Sequence, residues 1–191
     1  MLPNFELEER IISETREWSK HALERSNEHY NGLPACPYAK KAWAENRVGF
    51  AFKYDNQWQD LYKLISQWDD SKDVVILIDF NPLPLDEMDE YLSGMNDAIS
   101  NGFFINEDMF LMGFHPEDVD NELLDDEDFE STVDTPYAMI FLQRLSKLQE
   151  ASDALRLKGY YENCEEYYGS SDLYENRKNL YRRLKRGTEK S

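Results

Sequence analysis

The chain has 191 residues, 41% hydrophobic and 14% aromatic, which is enough apolar material for a core and too much for a disordered chain. Its 39 acidic and 21 basic residues leave a formal net charge of −18, which repels phosphate backbones and argues against nucleic acid as a partner. No apolar run approaches the roughly 20 residues that span a bilayer, so a membrane role is not expected.

The two cysteines stand 128 positions apart and make neither a disulfide framework nor a paired zinc pattern. The first ten residues lack the basic and apolar regions of a signal peptide, so a cytoplasmic location with reduced thiols is the expectation.

In chain order, residues 5–30 predict a long helix, with Ile11, Ile12, Trp18, Ala22 and Leu23 at helical spacing and Asn31-Gly32 as its stop. A turn around Cys36 and a short helix to about residue 45 follow. Residues 47–54 alternate, with Val48, Phe50, Phe52 and Tyr54 on one side, the pattern of a strand. Asp55 is read as the cap of a helix whose stripe is Trp58, Leu61, Tyr62, Ile65 and Trp68. Val74-Val75-Ile76-Leu77-Ile78 is a continuous apolar run, as expected of a strand buried on both faces in a parallel sheet. A helix over 85–101 carries Leu85, Met88, Leu92, Met95 and Ile99, and a third strand covers 109–114, with 103–105 a candidate extra strand.

Residues 116–134 break the pattern. Ten of the nineteen are Asp or Glu and none is Lys or Arg, which reads as a solvated acidic loop. Asp118, Asp120 and Glu122 have the alternate spacing that opens a calcium loop, but Leu123 stands where glycine is needed and Phe129 where the closing glutamate belongs. Thr135-Pro136 then reads as the start of a long helix carrying Met139, Ile140, Leu142, Leu145, Leu148 and Leu155. Tyrosines crowd the C-terminal segment, 173–184 predicts a last helix, and the basic tail beyond Arg177 is read as hanging in solvent.

The expected fold is α/β: a small three- or four-stranded, mainly parallel sheet flanked by helices, with a helical C-terminal extension. A ferredoxin-like α+β arrangement is the runner-up. One α/β domain over 1–156 and a tyrosine-rich extension over 157–191 divide the chain.

The most suggestive chemistry lies in Gly32-Leu33-Pro34-Ala35-Cys36-Pro37-Tyr38-Ala39-Lys40-Lys41. Proline is favoured at the first helical position, which makes Cys36 the expected N-cap. A thiol there meets the positive end of the helix dipole, with Lys40 and Lys41 one turn on, and both favour the thiolate. The plainer alternative is a small buried residue at a tight turn. His115 directly follows the third strand and Asp79 ends the second, so parallel strands bring both to one edge of the sheet, where ligand sites of α/β sheets lie. A Cys36–His115 pair is a recurring way to activate a thiol. The plainer alternative for His115 is a strand-end histidine bonded to backbone. Cys164, among Glu162, Glu165 and Glu166, is a poor nucleophile.

These residues resemble the uncharacterised bacterial family catalogued as "domain of unknown function fourteen-fifteen". The resemblance rests on Trp18 in a helix, then Gly32-Leu33-Pro34-Ala35-Cys36-Pro37-Tyr38-Ala39, then Phe114-His115-Pro116, then Thr135-Pro136-Tyr137-Ala138-Met139. The chain departs from the family where Glu130-Ser131-Thr132-Val133-Asp134 replaces an asparagine- and arginine-bearing run, and where Phe141 stands in place of a histidine. The resemblance implies no activity. It implies that the Cys36, His115 and Pro136-Tyr137 segments belong to one pattern.

Three functions follow as expectations. The first is a thiol-dependent enzyme or redox protein using Cys36 with His115, with Lys40, Tyr137 and Arg144 binding a small anionic substrate. The second is a metal-binding protein holding a transition metal with Cys36 and His115, joined by Asp79 or Glu117. The third is a non-catalytic protein engaging a basic protein partner through 116–134.

Overall fold

The computed structural model describes residues 5–104, 107–118, 133–162 and 172–188. Four strands form one sheet in the order β1-β2-β4-β3: β1 (Val48–Lys53), β2 (Val74–Asp79), β3 (Phe110–Phe114) and β4 (Ala138–Gln143). Helices α1 (Phe5–Trp18), α2 (Ala39–Ala44), α3 (Gln59–Ser66), α4 (Leu85–Ser100), α5 (Leu145–Arg156) and α6 (Asp172–Thr188) surround it. The α/β class expected from the sequence is what the chain adopts, C-terminal helix included.

The sheet is mixed and not mainly parallel as expected: two of its three strand pairs are antiparallel. β1 and β2 are parallel, joined by the α3 crossover, while β4 is antiparallel to both β2 and β3. Hence β1, β2 and β3 all run in one direction, as the sequence implied, and β4 is inserted between β2 and β3 against them. The segment 138–143 was expected to be helix. Ala138, Met139, Ile140, Phe141 and Leu142 are all buried, because β4 is an inner strand with a layer on each face. A short, wholly apolar run has no period that separates strand from helix. The helix begins only at Leu145, with Leu145, Gln149, Ser152 and Leu155 turned inward.

Alternation along the strands makes two cores. Leu77, Leu111, Ile140 and Leu142 face α3 and α4, where Leu61, Ile65, Met88, Leu92 and Ile99 meet them. Ile76, Ile78, Phe114, Met139 and Phe141 face α1 and α2, where Ile11, Trp18 and Ala42 meet them. Gly113 is tightly placed: a Cβ there would come within 2.6 Å of Met88 and 2.7 Å of Leu92.

The long first helix expected over 5–30 is shorter. Regular helix ends at Trp18 and passes into a π segment, Ser19–Leu23, then a bend. Asn27 opens a separate 3-10 turn, its side chain accepting from the His29 N–H, and Asn27 N–H and Leu33 carbonyl close the loop at 3.1 Å. Asn31 and Gly32 adopt the positive φ expected of a stop, but they end that turn and not the long helix. The candidate strand at 103–105 is not seen at Phe103 and Phe104, which lie in a bend; Ile105 is outside the described residues.

The basic C-terminal segment does not hang in solvent over its described length. α6 packs on α4 and α5. Arg183 pairs with Asp97 of α4, the Tyr174 hydroxyl donates to Asp153 at 2.6 Å, and Arg156 covers the Tyr174 ring at 4.8 Å.

At the carboxyl ends of β1 and β2 sits a fully buried ion pair. Lys53 and Asp79 are register partners, and their side chains meet at 2.8 Å with no exposure. The Asn81 N–H also donates to the same Asp79 oxygen at 2.9 Å, and the Trp58 ring centre lies 4.7 Å from the ammonium.

Candidate functional site

A cavity of about 250 Å³ opens beyond the carboxyl end of β3. α1 supplies Thr15 and Trp18 to its wall, and the chain leaving β3 supplies Phe114, His115 and Pro116. The segment entering β4 closes it with Thr135, Pro136 and Tyr137, backed by Met139. The antiparallel insertion of β4 brings these pieces together, since it sets the start of β4 beside the end of β3, with Met139 opposite Phe114. Thr15 and Trp18 reach the cavity because they share the inward stripe of α1 with Ile11 and Glu14, at positions 11, 14, 15 and 18.

His115 is buried and both its ring nitrogens are engaged by backbone. The Glu117 N–H donates to Nδ1 at 3.2 Å, so the proton resides on Nε2, which donates to the Leu83 carbonyl at 3.0 Å. This fixes the tautomer and ties the end of β3 to the loop before α4. Neither nitrogen is left to serve a thiol or a metal, so of the two readings of His115 the geometry favours the strand-end residue bonded to backbone.

Tyr137 differs. Burial pushes its phenol up to about 12, the Glu14 carboxylate adds to the rise, and the Thr15 hydroxyl beside it pulls weakly the other way, short of a full hydrogen bond. At neutral pH Tyr137 is therefore a hydrogen-bond donor at the cavity wall.

Cys36 is not among the residues lining this cavity, and among the described residues no hydrogen bond or electrostatic contact joins it to His115. It belongs to the α1/α2 side, its N–H donating to the Leu23 carbonyl at 2.9 Å. Alternation from Phe114 turns His115 toward α4 instead. Nor is Cys36 a helix N-cap. Regular helix starts at Ala39 with Tyr38 in the cap position, and α2 has six residues.

Burial of the Cys36 thiol pushes it up; the Tyr38 and Ala39 N–H groups oppose this, and the Glu24 carboxylate adds to it. A folded-state thiol raised above its ordinary value stays protonated at neutral pH. On protein carrying Cys164→Ser, the alkylation rate of Cys36 is thus expected to stay low through pH 8 and to climb only above the free-thiol value of roughly 8.5. A rate already at plateau by pH 7 would mean the opposite field acts on it.

The other expected site residues are scattered. Lys40 is exposed on α2. Arg144 leaves the far end of β4, at the opposite edge of the sheet from Tyr137. There it pairs with Asp70 at 2.9 Å and Glu107 at 3.5 Å and lies over Trp68. A substrate clamp of Lys40, Tyr137 and Arg144 is not assembled, because β4 separates its last two members along its whole length. Asp79 does share an edge and a face with His115, as parallel β2 and β3 require. They stand two strands apart, about 10 Å at ordinary strand spacing, and the Asp79 carboxylate is taken by Lys53. Glu117 is exposed. Among the described residues no group of three or more His, Cys, Asp or Glu side chains is arranged to hold a metal ion. Most of the acidic segment, residues 119–132, lies outside the described residues, as does Cys164.

Sequence reasoning missed Thr15 at the cavity, the buried Glu14 beside it on α1, and the buried Lys53 at the end of β1. The signal for Glu14 and Thr15 was their phase with Ile11 and Trp18. Lys53 follows Gly49 and Ala51 on the α3 face of β1, a position that a lysine occupies only with a buried partner.

No helix of the described chain is long and apolar enough to cross a membrane. No family model matches the sequence, and no curated protein or solved structure matches it.

Proposed function

We propose that the chain binds a small, ring-bearing molecule in the cavity between α1, the end of β3 and the start of β4. The observation that carries this reading is the composition of the wall. Trp18, Phe114, Pro116, Pro136 and Met139 surround about 250 Å³ of space, with Tyr137, Thr15 and Thr135 as polar members of the wall. Ligand pockets have this character, mostly apolar with a few placed polar groups, and the volume suits a single ring system. The π segment that starts directly after Trp18 supports it further, since such segments concentrate at functional sites. Thiol or metal chemistry at Cys36 and His115 has less support, because burial disfavours the thiolate and both imidazole nitrogens are already bonded.

The test is an NMR titration with acetophenone, which offers one ring and one carbonyl acceptor. The Trp18 indole N–H resonance, assigned with Trp18→Phe, is expected to shift saturably. Thr135→Trp, which fills the mouth of the cavity, is expected to abolish the shift. A non-saturating response that is the same in both proteins overturns the reading.

A further inference from the structure

We infer that β1 is the docking edge for a second copy of this chain: two β1 strands pair antiparallel about a two-fold axis at Phe50 and join the two sheets into one.

β1 is an outer strand, paired on one side with β2 and, among the described residues, with no strand on the other. The Lys53 carbonyl accepts from the Phe80 N–H at 3.0 Å and the Arg47 carbonyl from the Val74 N–H at 3.4 Å, so the odd-numbered residues direct their backbone at β2. Backbone direction alternates along a strand, which leaves the N–H and C=O groups of Val48, Phe50 and Phe52 on the outer side. None of these three residues has a hydrogen-bond partner there among the described residues.

The opposite edge of the sheet is closed. At β3 the Asn96 side chain takes the outer backbone groups of Leu111, accepting from its N–H at 2.8 Å and donating to its carbonyl at 2.9 Å. β1 has no such cap and none of the usual devices that keep an edge from pairing. It contains no proline, its register with β2 runs without a bulge, and its one charged side chain, Lys53, is buried on Asp79. Gly49, Phe50, Ala51 and Phe52 are half-buried, whereas Ile76 and Ile78, which stand beside the two phenylalanines on β2, are 2% and 0% exposed.

The strand is complementary to itself. Antiparallel pairing with Phe50 opposite its own copy matches every outer N–H and C=O group of Val48, Phe50 and Phe52, and a shift of two residues either way matches fewer. On one face this register sets Phe50 against Phe50 and Val48 against Phe52, which are aromatic–aromatic and aromatic–β-branched pairs. On the other face it sets Gly49 against Ala51. A closed two-fold contact uses the same patch on both copies, as this one does. A strand of another protein would find the same backbone groups; what favours a second copy is this match of side chains in the register that uses every group. The net charge of −18 opposes the approach of two copies, while the paired strands carry no exposed charge, so salt is expected to tighten the dimer.

The experiment is sedimentation of the whole chain over a concentration series at low and high salt, with amide hydrogen exchange of β1 at both ends of the series. A mass approaching twice 22.6 kDa is expected at high concentration, with a dissociation constant several-fold lower at high salt. In the dimer the Val48, Phe50 and Phe52 amides are expected to exchange roughly tenfold or more slowly than in the monomer, while the Gly49 and Ala51 amides, already directed at β2, change little. A monomer at every concentration up to about 1 mM overturns the inference. So does a dimer in which the Val48, Phe50 and Phe52 amides exchange as they do in the monomer, since its contact lies elsewhere. Phe50→Lys and Phe50→Glu are each expected to be monomeric, because like charges then face each other at the axis, and an equimolar mixture of the two is expected to recover the dimer. Either variant dimerising alone as tightly as the parent also overturns it. The exchange measurement on the unmodified protein stands even if neither variant folds.

Discussion

Lys53→Met is expected to cost the folded protein about 3–5 kcal/mol, because it leaves the Asp79 carboxylate buried and without its cation. The two side chains meet at 2.8 Å and neither is exposed, so water does not replace the lost partner. The pair is enclosed by the Trp58 ring on the lysine side and the Asn81 N–H on the aspartate side. Breaking such a pair is far more damaging than never having had it. The double variant Lys53→Met with Asp79→Asn is therefore expected to recover most of the loss. Asparagine keeps an oxygen for the Asn81 N–H and has no charge to desolvate. Urea unfolding of the wild type, both singles and the double gives the coupling energy directly. A coupling below about 1 kcal/mol would mean that water reaches the pair in solution, as it does for surface ion pairs.

The pair also fixes alignment. Lys53 and Asp79 are opposite each other in the parallel register of β1 and β2, at the end where both strands leave the sheet. A one-residue slip would turn Lys53 to the other face, away from Asp79, and Phe52 into its place. Two apolar strands such as these leave register weakly marked by side-chain type alone, and a buried charge pair is one way to mark it.

Trp18→Ala is expected to lose about 3–5 kcal/mol and to abolish binding at the cavity. Trp18 is buried and packs edge to face on Phe114 at 5.4 Å and on Phe141 at 6.0 Å, while those two rings pack on each other at 5.0 Å. The three rings come from α1, β3 and β4, so the indole fastens the helix to the middle and edge of the sheet. Removing it empties that space and merges it with the neighbouring cavity. Trp18→Phe keeps a ring at the junction and is expected to cost less than half as much. The measurement is the urea midpoint at constant slope for both variants. A loss under about 1 kcal/mol for the alanine variant would mean α1 docks through Ile11 and the rest of its stripe without help from Trp18.

Much of the architecture was legible from residue order. Val48 to Tyr54 alternates because one face of β1 meets α1 and α2 and the other meets α3. Met88, Leu92, Met95 and Ile99 repeat at helical spacing because α4 lies along one face of the sheet. The apolar run at 74–78 is continuous because β2 is an inner strand, flanked by β1 and β4 and covered on both sides. The same logic, applied at 138–142, does not separate strand from helix. Both are apolar all round when both faces are buried, and the Thr135-Pro136 pair resembled a helix start closely enough to tip the reading.

The candidate site divides in the same way. Residue reasoning marked His115 between Phe114 and Pro116, the resemblance added Trp18 and Pro136-Tyr137, and the cavity is lined by all of these. Residue reasoning also marked Cys36, which the fold keeps on the α1/α2 side with its thiol buried. Residue order thus determined the α/β class, the common direction of β1, β2 and β3, and the shared edge of Asp79 and His115. Those follow from local periodicity and from the right-handed crossovers that periodicity implies. Tertiary structure alone decided that β4 enters between β2 and β3, that the basic α6 docks on α4 and α5, and that Cys36 and His115 stay apart. Each depends on which distant surfaces exclude water together, and that is a property of pairs of segments that no single segment's pattern contains.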